Sequence, residues 1–411
     1  MAQTDRAAIS AFLDRTQGEA QDFLAELVKV PSDNPPGDCA PHAERAAVLL
    51  EAQGFTVERH PVPQELVRAN GMISATNLIV RETFGAGPVI ALNAHGDVVP
   101  PGEGWTTDPY GAAIKDGWMY GRGVAVSKSD FATYAYALAA LKALGAPLAG
   151  TVELHLTYDE EAGGAIGPQW LLEQGLSKPD FAFSAGFSYG IVTAHNGCLH
   201  LEVEITGKSA HAARPETGHD ALEAASDVLA ALYDHRKGLA QTRSDVEGID
   251  SPTLVVGLIR GGINTNVVPD AVTLRIDRRM IPEEDAAAVE RDLRALIAQS
   301  VAGRPGIACQ VRRIMLALPL TPVPGLERLV TPLQRHAEAV LGESVPVYGV
   351  PLYTDARHYA AAGIPTVLYG AGPRSLIEAN AHAADERLPL ADLRKATLVV
   401  ALTLLDLLRP A

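Results

Sequence analysis

Val89–Pro100 reads VIALNAHGDVVP. Its first residues are mostly apolar and suit a strand; the run then meets Asn93, His95, Gly96 and Asp97. An apolar strand ending in His-Gly-Asp carries an imidazole out of the core to a rim. In open α/β sheets the rim at the carboxyl ends of the strands is where sites form. Asp97 is near enough to accept a hydrogen bond from one ring nitrogen of His95. That fixes the tautomer and leaves the other nitrogen for a metal or a proton.

Working outward, apolar spacing predicts helices over 9–30, 40–53 and 130–144, the last alanine-rich and amphipathic, and strands over 55–59, 77–81 and 89–92. The segment 102–118 reads as loop. Thr151–Tyr158 is a further apolar strand, and it ends in Asp159, Glu160 and Glu161. In an extended strand Glu160 and Glu161 point different ways, so one can hold a metal while its neighbour holds a water. The glycines of EEAGG give the backbone room for close approach. A helix follows at 166–173. This succession predicts an α/β fold, a mostly parallel sheet with helices on both faces.

The pattern changes near Cys198. Strand, helix, two strands, helix and strand over 199–315 make a small α+β domain. The doubly wound pattern resumes with helices at 326–341 and 356–362, an extended segment at 345–350, a core strand at 365–368 and a closing helix at 390–408. The expected organisation is therefore a larger domain from 1–198 and 316–411, interrupted by an inserted domain, 199–315.

With 411 residues, 47% of them hydrophobic, the chain can bury a large core. The formal charge of -15 argues against binding nucleic acid. Cys39, Cys198 and Cys309 are few and far apart, which suits buried thiols in a reducing compartment. The amino-terminal residues show no signal peptide, and no apolar run is long enough to cross a bilayer, so the expected location is cytoplasmic, away from membranes.

Four polar clusters stand at strand ends of the larger domain: His95/Asp97, Asp159/Glu160/Glu161, Thr354/Asp355 and Asn380/His382/Glu386. Converging imidazoles and carboxylates suit Zn²⁺, Mn²⁺ or a similar ion. In order along the chain, HGDVVP (95–100), GRG (121–123), YDEEAGG (158–164), GKSAHAARP (207–215), GGINTNVVPD (261–270), DRR (277–279), TDAR (354–357) and AHAADE (381–386) resemble the M20 family of metallopeptidases and amidohydrolases. The resemblance covers essentially the whole chain. It implies that His95, Glu161 and His382 are metal ligands, that Asp97 orients His95, and that Glu160 is the general base. It implies that the insert is a lid and dimerisation domain. His211 would then steady an oxyanion in the partner subunit's site, and Asn266 and Arg279 would meet the substrate's carboxylate end.

Two departures from the family pattern matter. Val126 stands where members usually have a metal-bridging aspartate, and Ala185 where they usually have another acid. Asp130, a helical turn further on, is the nearest replacement. The expectation is one divalent transition metal per chain (Zn, Mn or Co), labile and held by His95, Glu161 and His382. The expected enzyme hydrolyses the amide bond of a small, carboxylate-bearing N-acyl amino acid or short peptide, as a homodimer or larger homo-oligomer. The alternatives are an aminohydrolase that replaces the amine of a carboxylated aromatic, such as a nitroanthranilate, by hydroxyl, and a non-catalytic ligand-binding relative.

Overall fold

The computed structural model describes residues 3–410; Met1, Ala2 and Ala411 lie outside it. The chain opens with α1 (Gln3–Arg15), α2 (Gln17–Val28), α3 (Ala40–Ala52), β1 (Val57–Pro61), α4 (Gln64–Ala69), β2 (Thr76–Gly85) and β3 (Val89–His95). Two short strands, β4 (Ala113–Lys115) and β5 (Trp118–Tyr120), precede α5 (Lys128–Leu144), β6 (Gly150–Thr157), α6 (Pro168–Glu173), β7 (Phe181–Ser184) and β8 (Ile191–His195). Next come β9 (Gly197–Thr206), α7 (Ala221–Leu239), β10 (Thr253–Gly261), β11 (Ala271–Met280), α8 (Ala286–Ser300) and β12 (Ala308–Ala317). The chain closes with α9 (Glu327–Leu341), β13 (Val347–Val350), α10 (Ala356–Ala361), β14 (Thr366–Leu368), β15 (Arg387–Pro389) and α11 (Leu390–Leu407).

These elements fall into two units. The first comprises Met1–Thr193, Pro322–Tyr348 and Thr354–Ala411; the second comprises Ala194–Thr321 and Gly349–Tyr353. The crossings lie a few residues outside the expected 198 and 316. The pairing of β9 with β12 runs on past Cys198 and Ala317 to a bridge between His195 and Leu320.

The sheet of the first unit has the order β1-β2-β6-β3-β7-β14-β8-β13. Its centre, β6-β3-β7-β14, is parallel, and antiparallel β1 and β2 extend one edge. Both faces are covered. Ile90, Leu92, Phe181 and Phe183 join the core containing α5 and α11, while the alternating Ala91 and Ala182 pack with Tyr359 and Ile364 on the other side. Parallel strands all deliver their carboxyl ends to one rim, so β3 and β6 bring His95 and Glu160 to the same place.

Four details differ from the sequence-based expectation. The first long helix is two helices: Thr16 leaves helical geometry and its hydroxyl donates back to the Phe12 carbonyl (3.0 Å). The helix α5 is not amphipathic; it is buried almost all round, because its alanines let α1, α2 and α11 approach closely. The expected loop at 102–118 contains β4 and leads into β5, which make a three-stranded sheet with β15. The short strands β7 and β8 and the helix α4 have no clear period in the sequence and are absent from the expected elements.

In the second unit the antiparallel order is β10-β11-β9-β12. Leu199, Leu201, Val203 and Ile205 point into a core shared with α7 and α8. The other face carries the even-numbered residues of β9. Among the described residues no helix is long and apolar enough to cross a membrane.

Candidate active site

At the end of β3, His95 is 5% exposed and its backbone is fixed by Ser127, whose hydroxyl donates to the His95 carbonyl (3.0 Å) and accepts from its amide (3.1 Å). The ring is oriented by Asp97 through the main chain. Nδ1 lies 2.9 Å from the Asp97 carbonyl oxygen and 3.5 Å from the carboxylate Oδ1. Nδ1 donating to that carbonyl leaves Nε2 with its lone pair outward.

The fully buried Asp97 carboxylate does something else. Its oxygens accept from the amides of Glu160 (3.2 Å) and Glu161 (3.1 Å) and from Asn34 Nδ2 (3.1 Å). Two consecutive amides aimed at one carboxylate end the strand, so Glu160–Ala162 form a 3₁₀ turn, not the extended segment expected. Both side chains therefore stay on the same side as His95: ligand atoms of His95, Glu160 and Glu161 lie within 4.8 Å of one another. Asn34, Ser127 and the use of Asp97 as a backbone clamp are not marked in the sequence, because nothing in local spacing identifies partners 32 to 64 residues apart.

The site is short of positive charge. His95 Nε2 is 3.9 Å from Glu160 Oε2, and His382 Nε2 is 3.2 Å from Glu161 Oε1. Buried Asp355 Oδ1 and Asp159 Oδ1 have no formed hydrogen bond, and Glu161 Oε1 has the His382 imidazole beside it. Burial pushes Glu160 up to about 8, with His95 opposing and Glu161 adding to the rise; burial and Glu160 push Asp355 up to about 7. Burial drives His95 down, but Asp97, Glu160 and Glu161 outweigh it and hold the imidazole well above its usual value. The pair with Glu161 raises His382 against its own burial. Buried carboxylates with unpartnered oxygens, facing two imidazoles, fit a divalent cation. Gly164 has φ +68, and a Cβ there would collide with Asp355 Oδ1, which is the close approach that the glycines after Glu161 permit.

His382 sits in a strained loop. Asn380, His382 and Asp385 have φ of 49, 60 and 55, the left-handed region that these residue types tolerate better than most. Asn380 Nδ2 donates to the Asp385 carbonyl (3.1 Å), and the Asp385 carboxylate accepts from the Thr106 amide and hydroxyl (2.9 Å each). Glu386 is fully buried and accepts from Arg122 Nη1 (2.7 Å) and from the amides of Gly123 (3.1 Å), Ala125 (3.0 Å) and Val126 (3.0 Å). It clamps the GRG turn to the His382 loop and has no oxygen to spare for a ligand.

Val126 and Ala185 are half-buried and offer no ligand atom. Asp130 does not replace them. Its oxygens accept from the amides of Ala371 (2.7 Å) and Gly186 (3.0 Å), and burial raises it to about 7. It is a bolt between α5 and two strand-end loops.

The remaining expected residues lie in the second unit. His211 and Asn266 are exposed on adjoining loops, joined by the Ala212 amide donating to the Asn266 carbonyl (3.0 Å) and by a bridge between His211 and Val267. Arg279 is at the far end of β11 and donates to both Asp277 oxygens (3.0 and 3.1 Å). Eight strand residues separate it from the Asn266 loop, roughly 26 Å at about 3.3 Å per residue.

Residues 91–406 match the model of peptidase family M20/M25/M40. The acetylornithine deacetylase of Myxococcus xanthus is 30% identical over 366 residues, covering 88% of this chain and 90% of that protein. An M20 family metallo-carboxypeptidase from Sulfolobus solfataricus superposes with TM-score 0.77 at 18% identity, covering 94% of this chain and 98% of its own. A dinuclear metal-binding M20 peptidase from Bacillus subtilis superposes with TM-score 0.67 at 20% identity, covering 97% and 99%. With its strand-end histidine and paired glutamates on this fold, the chain belongs to the M20/M25/M40 peptidase family and is a metal-dependent hydrolase of amide C–N bonds.

Proposed function

We propose that the chain works with one divalent transition ion, Zn²⁺, Mn²⁺ or Co²⁺, held by His95, Glu161 and His382, and cleaves a small N-acyl amino acid or short peptide. The observation that carries the reading is the convergence of Glu161 Oε1 with His382 Nε2 (3.2 Å) and of Glu161 with His95, ligand atoms within 4.8 Å, beside half-buried Val126 and Ala185 that contribute no ligand atom. An ion bound there would supply Lewis acidity, acidifying a water and polarising the amide carbonyl. Glu160, 3.9 Å from His95, takes a proton from the attacking water and returns it to the leaving nitrogen. Its raised affinity for protons, with burial as the main cause, suits a group that must both accept and give. Asp97 keeps Glu160 and Glu161 turned toward His95 through their amides.

The substrate class follows from Asn266 and Arg279, an amide and a guanidinium suited to a planar carboxylate. His211 is assigned to the developing oxyanion. Within one second unit, the His211–Asn266 loops and Arg279 stand at opposite ends of β11, too far apart for one small substrate to touch both. That separation supports a homodimer in which one group comes from each chain, with the inserted unit as lid and dimerisation domain.

The apolar side chains of Val126 and Ala185 favour a second reading, in which a carboxylated aromatic amine is the substrate and the amine leaves as ammonia. The test is to incubate metal-loaded protein separately with a panel of N-acyl amino acids and with ortho-aminobenzoates, assaying free amine and ammonia. Release of amino acid from the acyl panel is expected. Ammonia from the aromatic set alone would replace the first reading by the second.

A further inference from the structure

We propose a second metal site, independent of the catalytic one, at Cys198, His200 and Asp277 on the open face of the second unit's sheet. Cys198 and His200 are two apart on β9 and so share a face; the alternating Leu199 and Leu201 point into the core. Register places His200 directly opposite Asp277 on β11, and Cys198 opposite Arg279. The three ligand atoms lie within 4.8 Å of one another. His200 Nε2 is 3.0 Å from Asp277 Oδ2, and Cys198 Sγ is 3.8 Å from Asp277 Oδ1.

Those separations can be compared with what an ion requires. With Zn–S of about 2.3 Å and Zn–N and Zn–O of about 2.1 Å at tetrahedral angles, neighbouring ligands stand roughly 3.4 Å (N to O) and 3.6 Å (S to O) apart. The observed spacings, taken to the two different oxygens of the Asp277 carboxylate, are within about half an ångström of these, and all three ligand atoms lie within 4.8 Å of one another. Thiolate, imidazole and carboxylate are the ligands of a borderline-soft ion such as Zn²⁺, and they leave a fourth position open. Thiolate and carboxylate together cancel the charge of a dication. Binding releases the thiol proton, and the proton that His200 Nε2 donates to Asp277 without metal moves to Nδ1, freeing Nε2 as the ligand. The His200 and Asp277 side chains are about one-third exposed, which gives an ion a way in, while Cys198 is fully buried beneath them.

Arg279 is the competitor. It donates to both Asp277 oxygens, and its guanidinium also lies 5.7 Å from the Tyr353 ring. An ion on Asp277 displaces the guanidinium from at least one oxygen and leaves it the aromatic face. Occupancy of this site is thereby coupled to the freedom of Arg279.

Cobalt is the probe. One equivalent of Co²⁺ bound per chain at this site gives a near-ultraviolet thiolate-to-cobalt charge-transfer band, which Zn²⁺ abolishes by competition. The band is expected to vanish in Cys198→Ser, to need at least tenfold more Co²⁺ in His200→Ala, and to survive in Cys309→Ser and in His382→Ala. The proposed catalytic ligands include no sulfur, so failure of that reading leaves this band untouched. Absence of the band from the wild-type protein, or its persistence in Cys198→Ser, overturns the proposal.

Discussion

Glu386→Gln changes the charge of the clamp behind the His382 loop while keeping its shape. In the wild-type protein Arg122 and Glu386 are each 1% exposed at the side chain and 2.7 Å apart. Removing one partner from a buried ion pair costs about 3–5 kcal/mol, because the other charge stays buried. The new amide nitrogen also turns a donor toward a backbone donor, since the carboxylate oxygens face the amides of Gly123 on one side and Ala125 and Val126 on the other; that adds about 1–3 kcal/mol. Arg122 keeps the carbonyls of Pro101 (3.0 Å) and Ala383 (3.2 Å), which moderates the loss. A net destabilisation of about 4 kcal/mol is expected, or about 8 °C in Tm at about 2 °C per kcal/mol for a fold of this size. Thermal unfolding followed by near-ultraviolet circular dichroism, with metal chelated, measures it. The double variant Arg122→Met/Glu386→Gln should recover part of the loss, since an apolar replacement strands no charge. A Tm for Glu386→Gln within about 2 °C of wild type would refute the argument.

Two further outcomes are expected. Burial would raise Glu153, but His155, Ser177 and Arg81 hold it down at about 2 against an ordinary 4.5. A carboxylate lowered in the fold contributes stability that is complete above 4.5 and lost as pH falls through 2, so the stability gap between wild type and Glu153→Gln should close over that range; a gap unchanged between pH 5 and pH 2 would contradict it. Mixing inactive Glu160→Ala with inactive His211→Ala should restore activity in hybrid dimers, whereas no recovery under proven subunit exchange would place His211 in its own chain's reaction.

The strand-end chemistry was legible because it is local. VIALNAHGDVVP carries its apolar run and its polar rim within a dozen residues, and the helix signals around 40–53 and 390–408 are strong enough to bound α3 and α11 within a residue or so. What escaped was long-range. Asp97 reads as a partner for the His95 ring, which it is; its carboxylate also gathers Asn34 and two amides, a use visible only when β3 and β6 lie side by side. Glu386 looked like a candidate ligand in the AHAADE run but is consumed by Arg122 and the GRG turn more than 250 residues away. Asp130 looked like a spare acid until Ala371 and Gly186 took both oxygens. Cys198 and His200 gave no signal as a pair, because Asp277 joins them only through the register of β9 with β11.

The metal count tests the central claim most directly. Cys198→Ser protein, in which the thiolate site is removed, is loaded with excess Mn²⁺ or Zn²⁺, freed of unbound ion and analysed for metal and for chain. One ion per chain is expected, lost in His382→Ala. Two tightly held ions per chain in that background would contradict a site reduced by Val126 and Ala185.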